Sequence, residues 1–396
     1  SYQIQGALKR ESSEPLLQGS NPNPKVELEF WKNRYEDLEC IYNQLRTQKV
    51  RKMAELLDRV QSSYFPAFKA MFRDVVEALT EAQDINLHLT PLQHVLEEIE
   101  NVEFNEVKPL ISPLLHMVCL IWATSNYYNT PARIIVLLQE ICNLLIQQAW
   151  NYLTPEDILK GEAEESLGKV REVLAILSYF KQTFEDRREN LHTYFKPGQR
   201  VKEWDFQSLM VFARLDSFLR RLKMVEDLLA TALDIMKLEK LEFSGIRGKA
   251  LSQQVLSMYE EFQEVYKVLS DRSYDCLDTN SMEFEHDASD FKQKVEDVDR
   301  RLGTIFSQAF DDAAGLEHAF KLLDIFGSLL EWPVIAASAS DKYPRLITMF
   351  DRDLDDAKLI YSRHIQEEME LGLLFGNFVV IPLGPGLSAG SRVDQG

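Results

Sequence analysis

The chain has 396 residues, 45 % hydrophobic and 27 % charged, with 63 acidic against 44 basic residues and a formal charge of −19. That length exceeds what one core usually fills, so about two to three units are expected. The acidic balance argues against nucleic acid and against an anionic membrane face as partners. Cys40, Cys119, Cys142 and Cys276 are far apart and form no CxxC. With no leader-like start and no apolar run near the roughly 20 residues that span a bilayer, they read as reduced thiols of a cytosolic protein.

Residues 1–23 lack an apolar core and are expected to be a flexible arm. Asn23–Pro24 then opens a helix, with Asn as N-cap and Pro at the first helical position, where its missing N–H costs nothing. Trp31, Tyr35, Leu38, Tyr42 and Leu45 step by four, three, four and three, so they share one face. That stripe should pack on the chain's own later helices; the competing reading leaves it for a partner. Pro66 is expected to mark a break, followed by a helix over 67–85. Three dipeptides read as further helix starts: Thr90–Pro91, Ser112–Pro113 and Thr130–Pro131. The last opens a segment apolar around most of its circumference, which belongs inside a bundle. Thr154–Pro155, followed by Glu156 and Asp157, is a fourth start with acids placed to suit the helix dipole.

A long helix follows Gly161, and Lys196-Pro197-Gly198-Gln199 is the expected internal boundary. From Gly198 to Trp332 there is no proline, and helices are expected over Leu209–Leu229, Val255–Leu269 and Ala288–Phe310. Alternating β-branched runs are missing. The expected fold is therefore all-α, an elongated series of antiparallel helical bundles. Its regions would be 24–195 and 196–371, between the disordered N-terminal arm at 1–23 and an irregular, glycine-rich C-terminal tail at 372–396. Within that tail only Phe375–Leu383 is strand-like.

No catalytic, cofactor or metal residue is read from the motifs. Gly248–Lys249 lacks a glycine at position 243, which is Phe, and the Ser or Thr at 250, which is Ala, so it is a charged turn and not a phosphate loop. Asp351–Asp356 has Asp where a calcium loop needs Gly and Ser362 where it needs Glu, so it reads as a solvated acidic helix start. His116 and Cys119 lie one turn apart with no second ligand pair and are assigned to core packing. His286 falls in an acidic stretch, 275–300, where acids outnumber bases nine to three. That stretch suits solvent or a basic partner.

Longer words in the sequence go further. Val26–Leu45 (VELEFWKNRYEDLECIYNQL), Leu241–Val255 (LEFSGIRGKALSQQV), Asp297–Pro333 and Met349–Tyr361 (MFDRDLDDAKLIY) resemble, in the same order, blocks of the N-terminal tail of dynein heavy chains. The resemblance covers about 26–371 and is nearest to the axonemal, outer-arm β class. It implies a non-catalytic stem of stacked helical bundles, in the cytoskeleton of the ciliary axoneme. Its implied partners are WD-repeat intermediate chains, light chains and neighbouring heavy chains, with indirect association to doublet microtubules. ATP hydrolysis would belong to a motor ring far downstream. Two departures stand out: Trp332 replaces an expected basic residue, and the pattern ends after Gly372, as in a truncated or alternatively spliced product. A helical tether or scaffold unrelated to motors is the alternative.

Overall fold

In the computed structural model, residues 2–9, 24–240, 245–313, 315–329 and 332–374 are described. Among them there is no strand. Thirteen α-helices follow one another: α1 (Tyr2–Lys9), α2 (Pro24–Leu45), α3 (Gln48–Arg59), α4 (Tyr64–Asn101), α5 (Lys108–Thr124), α6 (Pro131–Leu153), α7 (Pro155–Ile158), α8 (Ala163–Glu189), α9 (Ser208–Met236), α10 (Gly245–Ser270), α11 (Met282–Asp311), α12 (Leu316–Ile325) and α13 (Pro333–Leu374). The chain divides into two compact units, 1–233 with 265–291, and 234–264 with 292–396. The Lys196–Gln199 turn lies inside the first. It is a β-turn, with Gln199 N–H donating to Lys196 O at 2.9 Å and Gly198 at φ 85°, a conformation glycine adopts without a Cβ clash. No helix of the described residues is long and apolar enough to cross a membrane.

In the first unit α2 and α4 pack antiparallel. Lys25 near the start of α2 pairs with Glu100 at the end of α4, and Tyr42 near the end of α2 meets Phe72 near the start of α4, ring centroids 6.1 Å apart. α6, α8 and α9 run up, down and up. Lys181 pairs with Asp216, and Arg171 with Glu226 at 2.9 Å, which sets α8 against α9. Gln139 reaches Met210 O and Asn143 reaches Arg214, both rising, so α6 and α9 are parallel neighbours. The apolar α6 is central as expected: Ile134, Leu137, Leu138, Ile141, Cys142, Leu145 and Ala149 are all buried. In the second unit Phe306, Phe310, Phe326 and Leu329 form the core. Gly303 lets α11 and α13 approach closely, since a Cβ there would lie 3.0 Å from Val334 Cγ1.

Several sequence expectations need correction. Residues 2–9, assigned to the flexible arm, form α1, and Arg34 of α2 donates to Ala7 O at 3.0 Å. Residues 10–23 lie outside the described residues, as do 375–396, including the strand-like Phe375–Leu383. Thr130–Pro131 and Thr154–Pro155 do start helices, but Pro91 and Pro113 lie inside α4 and α5. The apolar register explains the first: Ile85, Leu89, Leu92, Leu96 and Ile99 are buried at an unbroken four-three-four-three spacing straight through Pro91. Burying that stripe outweighs one lost backbone hydrogen bond. Pro91 faces solvent, and the carbonyl it leaves unpaired belongs to exposed Leu87, where water can reach it. Replacing Pro91 with Ala should therefore restore an N–H donor and raise the melting temperature, by an amount up to the roughly 3 kcal/mol that an interior proline costs. A thermal scan checks it; a lower midpoint would mean that the ring sets a bend the packing of α4 requires.

Candidate protein-binding surfaces

The α2 stripe is used within the chain. Trp31 and Leu38 are fully buried, and Tyr35, Tyr42 and Leu45 are half-buried. Four residues before Trp31 on the same face stands Glu27, only 1 % exposed. Its Oε1 accepts the Trp31 indole N–H at 2.7 Å and the Tyr128 hydroxyl at 3.1 Å, while Oε2 is buried with no hydrogen bond. Burial pushes the Glu27 carboxyl up to about 7, against the opposing pull of Trp31, Tyr128 and the Arg133 guanidinium. Arg133 lies 5.2 Å from the Trp31 ring centroid and 5.9 Å from that of Tyr128, and its Nη2 donates to Glu81 at 2.8 Å. Asp84 completes the node from α4 by accepting Ser125 Oγ at 2.6 Å and the Asn126 N–H at 3.0 Å. Buried Glu27 of α2 and the part-buried Glu81, Asp84 and Arg133 of α4 and α6 thus gather around Trp31 and the loop before α6. Periodicity shows the apolar face but not this node; the one trace in the sequence is an acid four residues ahead of a core tryptophan.

His116 and Cys119 do not converge on a metal. His116 Nδ1 contacts the Tyr194 hydroxyl at 2.9 Å, and the same hydroxyl accepts from Arg187 at 3.0 Å. Burial raises the Cys119 thiol to about 12, which keeps it protonated. Among the described residues no three His, Cys, Asp or Glu side chains could hold an ion. Gly248–Lys249 is within α10, not in a turn before a helix. Asp351–Asp356 is solvated as expected but sits mid-helix in α13, because the helix that starts at Pro333 continues through Pro344.

The acidic stretch is less free than its composition indicates. Asp275 accepts the Leu277 N–H at 2.7 Å, Asp287 binds Arg272 at 3.0 Å and the Tyr274 hydroxyl at 2.8 Å, and Glu285 binds Arg221 at 3.0 Å. His286 is exposed beside Asp290, 3.6 Å away. Asp297 pairs with Arg300, whereas Asp299 is half-buried and its carboxyl is raised by burial and by Glu296. Asp299 is therefore a poor steering charge.

Among the described residues, α13 carries a row of exposed apolar side chains. Tyr343, Ile347, Phe350, Leu354 and Tyr361 are all exposed and fall on one face at coiled-coil spacing. Single exposed apolar residues are ordinary, whereas five on one helical face form a contiguous apolar stripe.

Residues 1–374 match the family model described as dynein heavy chain, N-terminal region 1. The chain is 69 % identical over 372 residues to human dynein axonemal heavy chain 9, covering 94 % of this chain and 8 % of that one. It is 51 % identical over 367 residues to the ciliary dynein beta chain of Heliocidaris crassispina, covering 93 % and 8 %. It is 35 % identical over 364 residues to the flagellar outer-arm dynein beta chain of Chlamydomonas reinhardtii, covering 91 % and 8 %. The chain thus spans about a twelfth of the length of these relatives, within their N-terminal region. An unrelated helical tether is replaced by a definite assignment: this chain belongs to the dynein heavy chain family.

Proposed function

We propose that this chain is a non-catalytic stem and assembly segment of an axonemal dynein heavy chain. The observation that carries the reading is the match of residues 1–374 to the N-terminal region of dynein heavy chains, with relatives named as axonemal, ciliary and flagellar. Its partners are dynein intermediate chains, light chains and neighbouring heavy chains, and it reaches doublet microtubules through them in the cytoskeleton of the ciliary axoneme. Nucleotide hydrolysis is assigned to a motor region beyond this segment. The bundle architecture supports this reading, because helical rods recognise partners by side-on packing and need no reaction cleft. The exposed stripe on α13 is the surface best suited to it.

The test is capture of intermediate and heavy chains from ciliary extract by the purified chain. Phe350→Asp with Leu354→Asp places charge on the stripe without touching the core, so the helical circular dichroism should be unchanged while capture falls at least about tenfold. If correctly folded wild type recovers neither subunit, the segment is a spacer in the stem. If the double variant captures as well as wild type, the α13 face is not the contact.

A further inference from the structure

α6 carries a column of carboxamides: Gln139, Asn143, Gln147 and Asn151 follow one another at intervals of four. The first two are engaged by α9. Gln139 Nε2 donates to the Met210 carbonyl at 2.7 Å, and Asn143 Oδ1 accepts from Arg214 Nη1 at 2.9 Å. The lower half of the column opens into a cleft of about 340 Å³ between α6, α9 and the loop before α11, all within the first unit. That volume falls in the range of built ligand sites, about 300–1,000 Å³. Gln147 and Asn151 are exposed at its edge and make no side-chain hydrogen bond among the described residues. Half-buried Trp150 forms a wall, and buried Ile146 and Phe218 form the floor.

We propose that this cleft binds an extended peptide of a partner protein through its main chain. The spacing carries the argument. Residues four apart on a helix are separated by about 6 Å along the axis. In an extended chain, the N–H and C=O groups facing one side repeat every two residues, about 6.6 Å. A carboxamide has one acceptor and two donors, so each can take both the C=O and the N–H of one peptide residue. Successive amides on α6 therefore match alternate residues of a strand laid along the helix. The Gln139 bond to Met210 O shows the column already reading a main-chain carbonyl of this chain. Arg214, exposed and with donors to spare beyond its bond to Asn143, asks for an acidic side chain on the peptide. Trp150 asks for an apolar or aromatic one. Nucleic acid does not fit a cleft lined by a single cation, Arg214, and by the acid Asp278, on a chain of charge −19.

The proposal does not rest on the stem reading, since helix-on-helix packing at α13 uses a different surface and a different kind of partner. Its test uses the full chain and a displayed library of random peptides about ten residues long. Enriched peptides should carry an acidic residue and an aromatic or aliphatic one. Gln147→Ala and Asn151→Ala should each weaken them roughly tenfold, as expected for loss of a bidentate pair. N-methylation of the bound peptide at alternate residues should abolish binding, while methylation of the intervening residues should be tolerated. Both side chains are exposed, so melting should be unchanged. Should either alanine variant unfold, Gln147→Glu and Asn151→Asp keep the shape and remove the donors. Failure to enrich any peptide, binders indifferent to these substitutions, or N-methyl effects without the two-residue period would each overturn the proposal.

Discussion

Replacing Arg221 with Ala should cost about 2–4 kcal/mol of stability, the loss expected when two carbonyl acceptors are stranded and a buried side chain is removed, since Glu285 itself is 44 % exposed. Arg221 is 2 % exposed and reaches from α9 into the segment that returns to the first unit. Its Nη2 donates to the Ser281 carbonyl at 3.1 Å and to Glu285 at 3.0 Å, and its Nη1 to the Cys276 carbonyl at 3.4 Å. The guanidinium lies 4.9 Å from the centroid of the buried Phe284 ring, a cation–π arrangement strengthened by desolvation. Alanine removes these contacts and leaves a cavity where the long stem packed. Met restores volume without the donors and should recover part of the loss; Lys keeps the charge but lacks the planar fork and should recover less than its charge implies. Urea unfolding measures the change, and hydrogen exchange over 276–285 locates it. A loss below about 1 kcal/mol would show that the loop is held by its apolar residues alone. The same loop supplies Asp278, Thr279 and Asn280 to the amide-lined cleft, so Arg221→Ala should also weaken any peptide bound there.

What the sequence makes legible is periodic. The α2 stripe, the all-round apolar α6 and the absence of strands among the described residues follow from the spacing of apolar residues alone. Local signals did less well where tertiary burial opposed them. Thr90–Pro91 has the form of a helix start, yet the register from Ile85 to Ile99 runs through it and burial decides. Asp351–Asp356 looks like a first turn because acids favour helix N-termini, but Lys358 pairs with Asp355 at 3.1 Å and solvent screens the rest. The node at Arg221 is not legible at all, and the one at Glu27 only by its acid four residues ahead of Trp31. Each is a charged residue in an apolar register, and its long-range partners lie 101 and 55–64 positions away. Such pairings depend on which helices meet, and no local pattern encodes that. The peptide cleft is intermediate: its amide column stands plainly in the α6 sequence, but only the placement of α9 separates the occupied half from the open half.

Stability of the first unit should fall as pH rises from about 4.5 to about 7, and Glu27 should be a principal cause. Its carboxyl is raised from 4.5 to about 7, chiefly by burial. In this window the unfolded chain releases the proton while the folded chain retains it, so the unfolded state binds fewer protons and stability declines with pH. Below about 4.5 both states are protonated and the contribution is complete; above about 7 both are ionised and it is gone. A shift of this size corresponds to about 3 kcal/mol. Asp275, also raised by burial and also in this unit, adds to the decline at lower pH. Glu226, lowered by its pairing with Lys223, acts oppositely and loses its contribution only as pH falls into the acid range. Comparison with Glu27→Gln isolates the node. The amide keeps an acceptor for the Trp31 indole and the Tyr128 hydroxyl and cannot ionise, so its stability curve should be flatter between pH 5 and 8 and should lie above wild type at pH 8. Glu27→Ala should instead destabilise at every pH, because it leaves the Trp31 N–H and Tyr128 O–H buried without an acceptor, at about 1–3 kcal/mol each. Denaturant midpoints across that pH range decide the matter. Parallel curves for wild type and Glu27→Gln would mean that Glu27 ionises at an ordinary pH and that the node is hydrated.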